Sequence, residues 1–440
     1  MAHLYDKSKG SSNDKWFKSG NLPVPISGGE TVMKSLHRAY PKSGWIKLAK
    51  LSIAAALGIT FSLTARAADP ILICSIDDRS GAAADTGTQG YQGVQLAIDE
   101  ANAAGGVAGH KIKLIAYDGK TDPQLTATFA SRCAEDDKGL VIIGGNPSAP
   151  AAAMIPIATE NKIPYYMLSA GTDTLTDPPA PYHFRFGPAN RQDASAIADL
   201  LAQQGFKRPA IINNSLPFGT DGARATTEAL KKKNITVVAQ QTYDINSTDL
   251  SPQLTNLRDA RPDVLLVFPY PADGARVLRT ARQLNLTAPI IVSRSALLDT
   301  LRKLAGPASD GVLIPNTVDP SRADVQKFFA AFNARFGPHQ PTLYPVLGYD
   351  AAKAALQVIA TPSVLKAIDA GNIEEARKAF RDGTDKLTQF KGLQGEQNAS
   401  YHFGPQHHHG SPDANWYVFI LVTDGGTRLV KPDLSKFKPL

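Results

Sequence analysis

The stretch from Gly139 to Thr176 reads GLVIIGGNPSAPAAAMIPIATENKIPYYMLSAGTDTLT. It holds two strand-then-loop units in quick succession, and each loop is small, hydroxyl-bearing and rich in free backbone amides. Leu140 to Ile143 is a short apolar run ending in Gly144-Gly145, the pattern of a buried parallel strand. Ser148 and Pro150 then open a helix, with the Ser as its cap and the Pro in the first turn. A helix start offers unpaired N–H groups and the positive end of the peptide dipoles, so a carboxylate beside Ser148 needs no charged side chain. The second strand, Ile163 to Leu168, delivers Ser169-Ala170-Gly171-Thr172 next to the first. Ligands of parallel α/β sheets bind off the carboxyl ends of strands where adjacent connections diverge. On these residues alone, a plain cap at Ser148 and an ordinary turn over Ser169 to Thr176 stand as the alternative.

Working outward, the same alternation continues on both sides. Upstream come a strand over Ile71 to Ile76, a Gly/Ala/Asp loop and a helix from about Thr88 to Ala104. That helix sets Tyr91, Val94, Ile98 and Ala101 on one face. A strand over Lys111 to Tyr117 and a helix over Pro123 to Lys138 complete four β-then-α units, which implies a parallel sheet covered on both faces. Downstream, a Pro-rich loop, Asp177 to Pro188, precedes a second run of alternating helices and strands as far as Val292. Two similar α/β lobes in one chain imply a cleft between them. From Arg322 the pattern is more helical, and Ala399 to Val430 reads as short strands with Gly/Asp turns. His407, His408 and His409 fall in one such turn. Adjacent histidines cannot converge on one metal from a regular element, so a polar turn is expected and no metal site.

At 440 residues the chain has room for two or three domains. Its formal charge of +7 resides in residues 1–67, which carry 10 Lys/Arg against 3 Asp/Glu and leave 37 of each for the remainder. A neutral body gives no support to nucleic-acid binding. Lys42, Lys47 and Lys50 precede an apolar run from Leu51 to Leu63, followed by Ala65-Arg66-Ala67, the form of a signal peptide cleaved near Ala67. The run is shorter than the roughly 20 residues that span a bilayer, which sets an uncleaved anchor second. The polar, Gly/Ser-rich residues 1–32 suggest translation from Met33. Cys74 and Cys133 both sit at apolar positions and are expected as two buried thiols, although an exported chain also permits a disulfide. No G-x-S-x-G elbow, H-E-x-x-H or P-loop is present, so neither an enzyme nor a cofactor is expected.

The run SGAAADTGTQGYQGVQLAIDEANAAGGVAGHKIKLIAYDGKTDP, the GNPSAP loop, SAGTDTLT followed by His183-Phe184-Arg185-Phe186, and Leu347-Gly348-Tyr349-Asp350-Ala351-Ala352 together resemble the leucine/isoleucine/valine-binding family of type I periplasmic binding proteins. The resemblance covers residues 70 to 430. It implies two Rossmann-like α/β lobes with parallel sheets, joined by a hinge that the chain crosses three times. Residues 69–188 plus 317–395 would form the first lobe and 189–316 plus 396–440 the second. It also implies a periplasmic receptor, a monomer, that hands a small-molecule ligand to ABC permease subunits at the inner membrane. By position, Ser148 resembles the hydroxyl that binds the ligand carboxylate, Ala170 a backbone carbonyl contact and Thr172 a second hydroxyl. Phe218, Tyr270 and Tyr344 would be aromatic walls. The family's acidic partner for the ligand ammonium aligns with Arg294, Gly171 replaces a Thr or Ser, and Phe218 lacks the usual phenol. These departures favour an organic acid, aromatic or a dicarboxylate, over an amino acid. An aliphatic amino acid with Arg294 out on the rim is the alternative, and a sensory receptor lobe pair is a further one.

Overall fold

The computed structural model describes residues 68–411, 416–424 and 426–430. The leader, its apolar run at 51–63 and the Met33 start lie outside them.

The first lobe opens with β1 (Ile71–Asp77), α1 (Ala84–Ala103), β2 (Ile112–Asp118), α2 (Pro123–Glu135), β3 (Val141–Gly144), α3 (Ser148–Glu160), β4 (Tyr165–Met167) and β5 (His183–Arg185). The second is built from α4 (Asn190–Gln203), β6 (Pro209–Asn214), α5 (Pro217–Lys232), β7 (Ala239–Tyr243), α6 (Ser251–Asp259), β8 (Val264–Phe268), α7 (Pro271–Gln283), β9 (Ile290–Val292), α8 (Asp299–Ala305) and β10 (Leu313–Asn316). Four helices then return to the first core: α9 (Ala323–Phe336), α10 (Leu343–Ile359), α11 (Pro362–Asp369) and α12 (Ile373–Thr384). β11 (Val418–Thr423) and β12 (Gly426–Val430) close the second sheet.

The first sheet has the order β2-β1-β3-β4-β5, all parallel. The second runs β12-β11-β10-β9-β8-β6-β7, parallel except for the two final strands. Both are buried on both faces, because alternate residues of a strand point to opposite sides. Ile71 and Ile73 of β1 join the core beneath α1 and α10, whereas Cys74 and Ile76 join the one beneath α2 and α3. β8 divides likewise, Leu265 and Val267 on one side and Leu266 and Phe268 on the other. In each sheet the connections diverge between neighbouring strands, at β1/β3 and at β6/β8, and a ligand crevice is expected off their carboxyl ends.

Three expectations need correction. Cys74 and Cys133 are joined in a disulfide, with Cα atoms 6.3 Å apart, rather than being separate thiols. Cys74 faces α2 from β1, and Gly139 leaves the room: a Cβ there would lie 2.6 Å and 2.8 Å from the two sulfurs. The triple histidine is a polar turn only at His407, which is exposed and pairs with Gly404. His408 and His409 are buried, and their segment pairs with β5, Arg185 N–H donating to His408 O and Gly410 N–H to Arg185 O, both at 2.8 Å. That pairing satisfies a strand edge that would otherwise be bare. Finally, the chain does not leave the first lobe at 396. Tyr401, Phe403 and Trp416 belong to its core, with Phe403 packed on Phe184 and Phe186, so the last crossing falls just before β11.

Candidate functional site

The β1/β3 crevice of one lobe faces the β6/β8 crevice of the other. From the first come Asp77 at the end of β1 and Asn146 after β3, joined by an Asn146 Nδ2 donation to Asp77 Oδ1 of 2.8 Å. From the second come Phe218, near the start of α5, and Tyr270, just ahead of α7; their rings stack with centroids 6.0 Å apart. Arg294 follows β9 and Tyr344 opens α10. Together Thr86, Asn146, Pro147, Ser169, Phe218, Tyr270, Arg294, Ser295 and Tyr344 enclose a narrow cavity of about 20 Å³ between the lobes.

Four of the seven residues singled out from sequence therefore line one cavity: Phe218, Tyr270, Arg294 and Tyr344. The other three stand just behind it. Ser148 is the first residue of α3, not its cap, since Pro147 takes the cap position. Its hydroxyl accepts a hydrogen bond from the Thr172 N–H at 3.3 Å and so ties the two loops together. The carbonyls of Ala170 and Thr172 are already engaged, both accepting from the guanidinium of Arg185, at 2.7 Å for Thr172. Thr172 Oγ1 is buried with no hydrogen-bond partner.

Arg294 is not on the rim. Its side chain is 1 % exposed and forms an ion pair with Asp193 of α4, itself 2 % exposed. Tyr417 donates to the other carboxylate oxygen of Asp193 at 2.6 Å. Arg294 Nη2 crosses to the carbonyls of Pro188, at 2.9 Å, and Ser169, at 3.4 Å. The guanidinium also lies over the Phe218 ring, 5.6 Å from its centroid, a favourable cation–π geometry. Gly171 leaves room for all three of its neighbours, since a Cβ there would run into Asn190 Oδ1 and lie 2.8 Å from Arg294 Nη2 and 2.9 Å from the Phe218 ring.

Arg185 is a buried charge behind the cavity that sequence reasoning did not single out as a site residue. It is fully buried, and no carboxylate pairs with it among the described residues. It donates to Thr176 Oγ1 as well as to the two carbonyls. Burial and the neighbouring Arg294 charge push its guanidinium down to about 9, so it stays charged at neutral pH. Asp77 moves the other way, to about 8, through burial and the adjacent Asp78. At neutral pH it is chiefly a neutral acid. Asp78, buried beside it and raised only to about 6, stays ionised at neutral pH, so the buried charges of Arg294 and Arg185 are offset by Asp193 and Asp78. The strand-end position of Arg185, two residues before Gly187, carried no chemical signal in the sequence. Asp193 lay hidden in an ordinary amphipathic helix about 100 residues before its partner.

A family model for periplasmic binding proteins matches residues 70–426. The chain belongs to that family. Leu/Ile/Val-binding protein homolog 7 of Brucella abortus (strain 2308) is 25 % identical over 336 residues, covering 72 % of this chain and 83 % of the relative. Homolog 8 of Brucella suis biovar 1 is 27 % identical, over 71 % of this chain and 82 % of its own. Among solved structures, the leucine-binding protein LivK of Thermotoga maritima superposes with a TM-score of 0.72 at 22 % identity, covering 82 % of this chain and 98 % of that one. The substrate-binding protein LivJ of Streptococcus pneumoniae, solved with isoleucine, gives 0.72 at 21 % identity, over 82 % and 100 %. As a type I periplasmic binding protein, the chain is a solute receptor of two α/β lobes. No helix among the described residues is long and apolar enough to cross a membrane.

Proposed function

We propose that this periplasmic binding protein is exported through its N-terminal leader and captures a small carboxylate-bearing organic acid between its lobes for delivery to an ABC permease. The observation that carries the reading is the charge of the cavity wall: Arg294 is its one ionic lining residue, and no carboxylate lines it. The terminal nitrogens of Arg294 are held by Asp193 and by the Pro188 and Ser169 carbonyls, and its Nε, buried without a hydrogen-bond partner, is the donor left to make a charge-assisted bond to a ligand carboxylate. Phe218, Tyr270 and Tyr344 supply flat apolar surface for the rest of the ligand. The capped carbonyls of Ala170 and Thr172 argue in the same direction, since a ligand ammonium would have to compete with Arg185 for them. Lobe closure over the acid buries it and creates the face a permease reads.

A second reading is an aliphatic amino acid, as the names of the relatives suggest. It is favoured by Asn146 Oδ1, a buried acceptor without a partner on the cavity wall. A thermal-shift screen of amino acids, aromatic acids and aliphatic dicarboxylates separates the two. A ligand at a hundred times its Kd stabilises by about 2.7 kcal/mol, enough to raise Tm measurably. Response to acids lacking an amino group supports the proposal; response to leucine or isoleucine alone rejects it.

A further inference from the structure

A second space adjoins the first. Ala82, Lys120, Thr121, Pro123, Pro147, Ala149 and Pro150 of the first lobe and Leu216, Pro217, Ile245 and Tyr270 of the second enclose about 380 Å³. Pro147 and Tyr270 line both spaces, so each is a partition between an inner and an outer chamber. The walls of the outer one are mainly proline, alanine, leucine and isoleucine, with Thr121, Tyr270 and one charged side chain, Lys120. The inner chamber admits little more than one small group, whereas the outer one falls in the lower part of the size range of small-molecule sites.

The Lys120 turn is held in place. Asp118 Oδ1 accepts from the N–H groups of Arg79, Ser80 and Lys120 at 2.9 to 3.2 Å, and Thr121 N–H donates to Asp78 Oδ1 at 2.7 Å. Thr121 Oγ1 accepts from Ala83 N–H at 3.1 Å, which binds the turn to the loop carrying Ala82. The backbone of Lys120 stands at φ +54. No carboxylate among the described residues pairs with its ammonium, so a single positive charge overlooks a mostly apolar room that shares Pro147 and Tyr270 with the inner space where Arg294 lies.

We infer that the outer chamber is a second subsite of the same ligand and that the solute is a dicarboxylate with an extended apolar body, one acid group at Arg294 and the other at Lys120. This rests on the carboxylate reading above and narrows its class. Affinity is measured by calorimetry for straight-chain α,ω-dicarboxylates from succinate to azelate, with hexanoate and nonanoate as single-ended controls. The expected result is tighter binding by roughly two- to fourfold per added methylene, until the chamber is filled. In Ala82→Trp, which fills the outer room, the ratio of azelate to succinate affinity falls toward one. In Lys120→Asn, a residue that tolerates positive φ, the advantage of a diacid over the monoacid of equal length drops by about two- to fivefold, the scale of an exposed ion pair. Diacids that bind with no gain in length, or a gain that survives Ala82→Trp, overturn the outer subsite and leave the carboxylate reading intact. No binding by any acid, long or short, overturns both.

Discussion

Arg294 and Asp193 form an ion pair in a place where neither charge can reach water, so removing one strands the other. Breaking such a pair costs about 3–5 kcal/mol, whereas replacing both partners by apolar groups is often neutral. Arg294→Ala is therefore expected to lower stability by that amount in urea denaturation, which confounds any loss of binding. The double variant Arg294→Met/Asp193→Leu should fold close to wild type and still lose its thermal response to acids. A double variant that retains the response would remove Arg294 from the site. Asp77 makes a separate prediction. Its carboxyl is raised from 3.8 to about 8, so the folded protein holds a proton that the unfolded chain has released. Its contribution to stability is full below the unfolded value and is lost as pH rises through about 8. Asp77→Asn keeps the hydrogen-bonding shape and cannot ionise. It should flatten the fall of Tm between pH 5 and 8 and stabilise by about 1–2 kcal/mol at pH 8; an unchanged slope would assign the proton elsewhere. At this scale the sequence disclosed Arg294, because its place after an apolar strand could be aligned. It hid Asp193 and Arg185, whose meaning comes only from residues brought together by folding.

Strands and helices were the most legible level, since apolar runs of four to seven residues between turn-formers admit few readings other than buried strands. What failed were features decided across elements. Ser148 has the composition of a cap, yet Pro147 turns the chain one residue earlier. The three histidines look solvent-loving until β5 needs an edge partner. The cysteines lie 59 residues apart, and nothing local to either shows that β1 and α2 bring them face to face. A bridge closing a loop of that length is worth about 4 kcal/mol in the chain-entropy account, with measured values commonly 2–4. Reduction, or Cys74→Ala/Cys133→Ala, should lower the denaturation free energy by that much. Gly139→Ala should do comparable damage in the oxidised protein, its new methyl colliding with both sulfurs, and less once the bridge is reduced. Equal damage in both states would locate the strain in the backbone instead.

Over the whole molecule, the lobes meet through polar contacts on the flank of the cleft. Arg224 of α5 reaches Asp173 of the opposite lobe at 3.0 Å while held by Asp221 at 2.7 Å and Glu228 at 3.0 Å. Asp173 N–H donates to Asp221 Oδ2 at 3.0 Å. The Arg224 side chain is 47 % exposed, so its cross-lobe bond is worth at most about 1 kcal/mol and is screened by salt. Arg224→Met should weaken solute binding by up to about fivefold at low ionic strength, with the difference shrinking toward 1 M salt. A salt-independent deficit would place the effect in packing. The two-lobe plan was readable from the repeated α/β pattern, but the late stay of Tyr401 and Phe403 with the first core was not, because an aromatic pair in a turn-rich tail names no partner.

The Cys74–Cys133 bridge also gives the fold a sense of place. On the export proposed above, the chain would leave the cytoplasm with Cys74 and Cys133 still reduced. In the reducing cytoplasm the crosslink cannot persist, so the first lobe lacks several kcal/mol of its final stability and the precursor stays easier to thread. Once across, oxidation withdraws conformations from the unfolded ensemble and turns a reversible collapse into a one-way commitment. On that route the two sulfurs that lock the receptor into shape would join only after the chain has arrived.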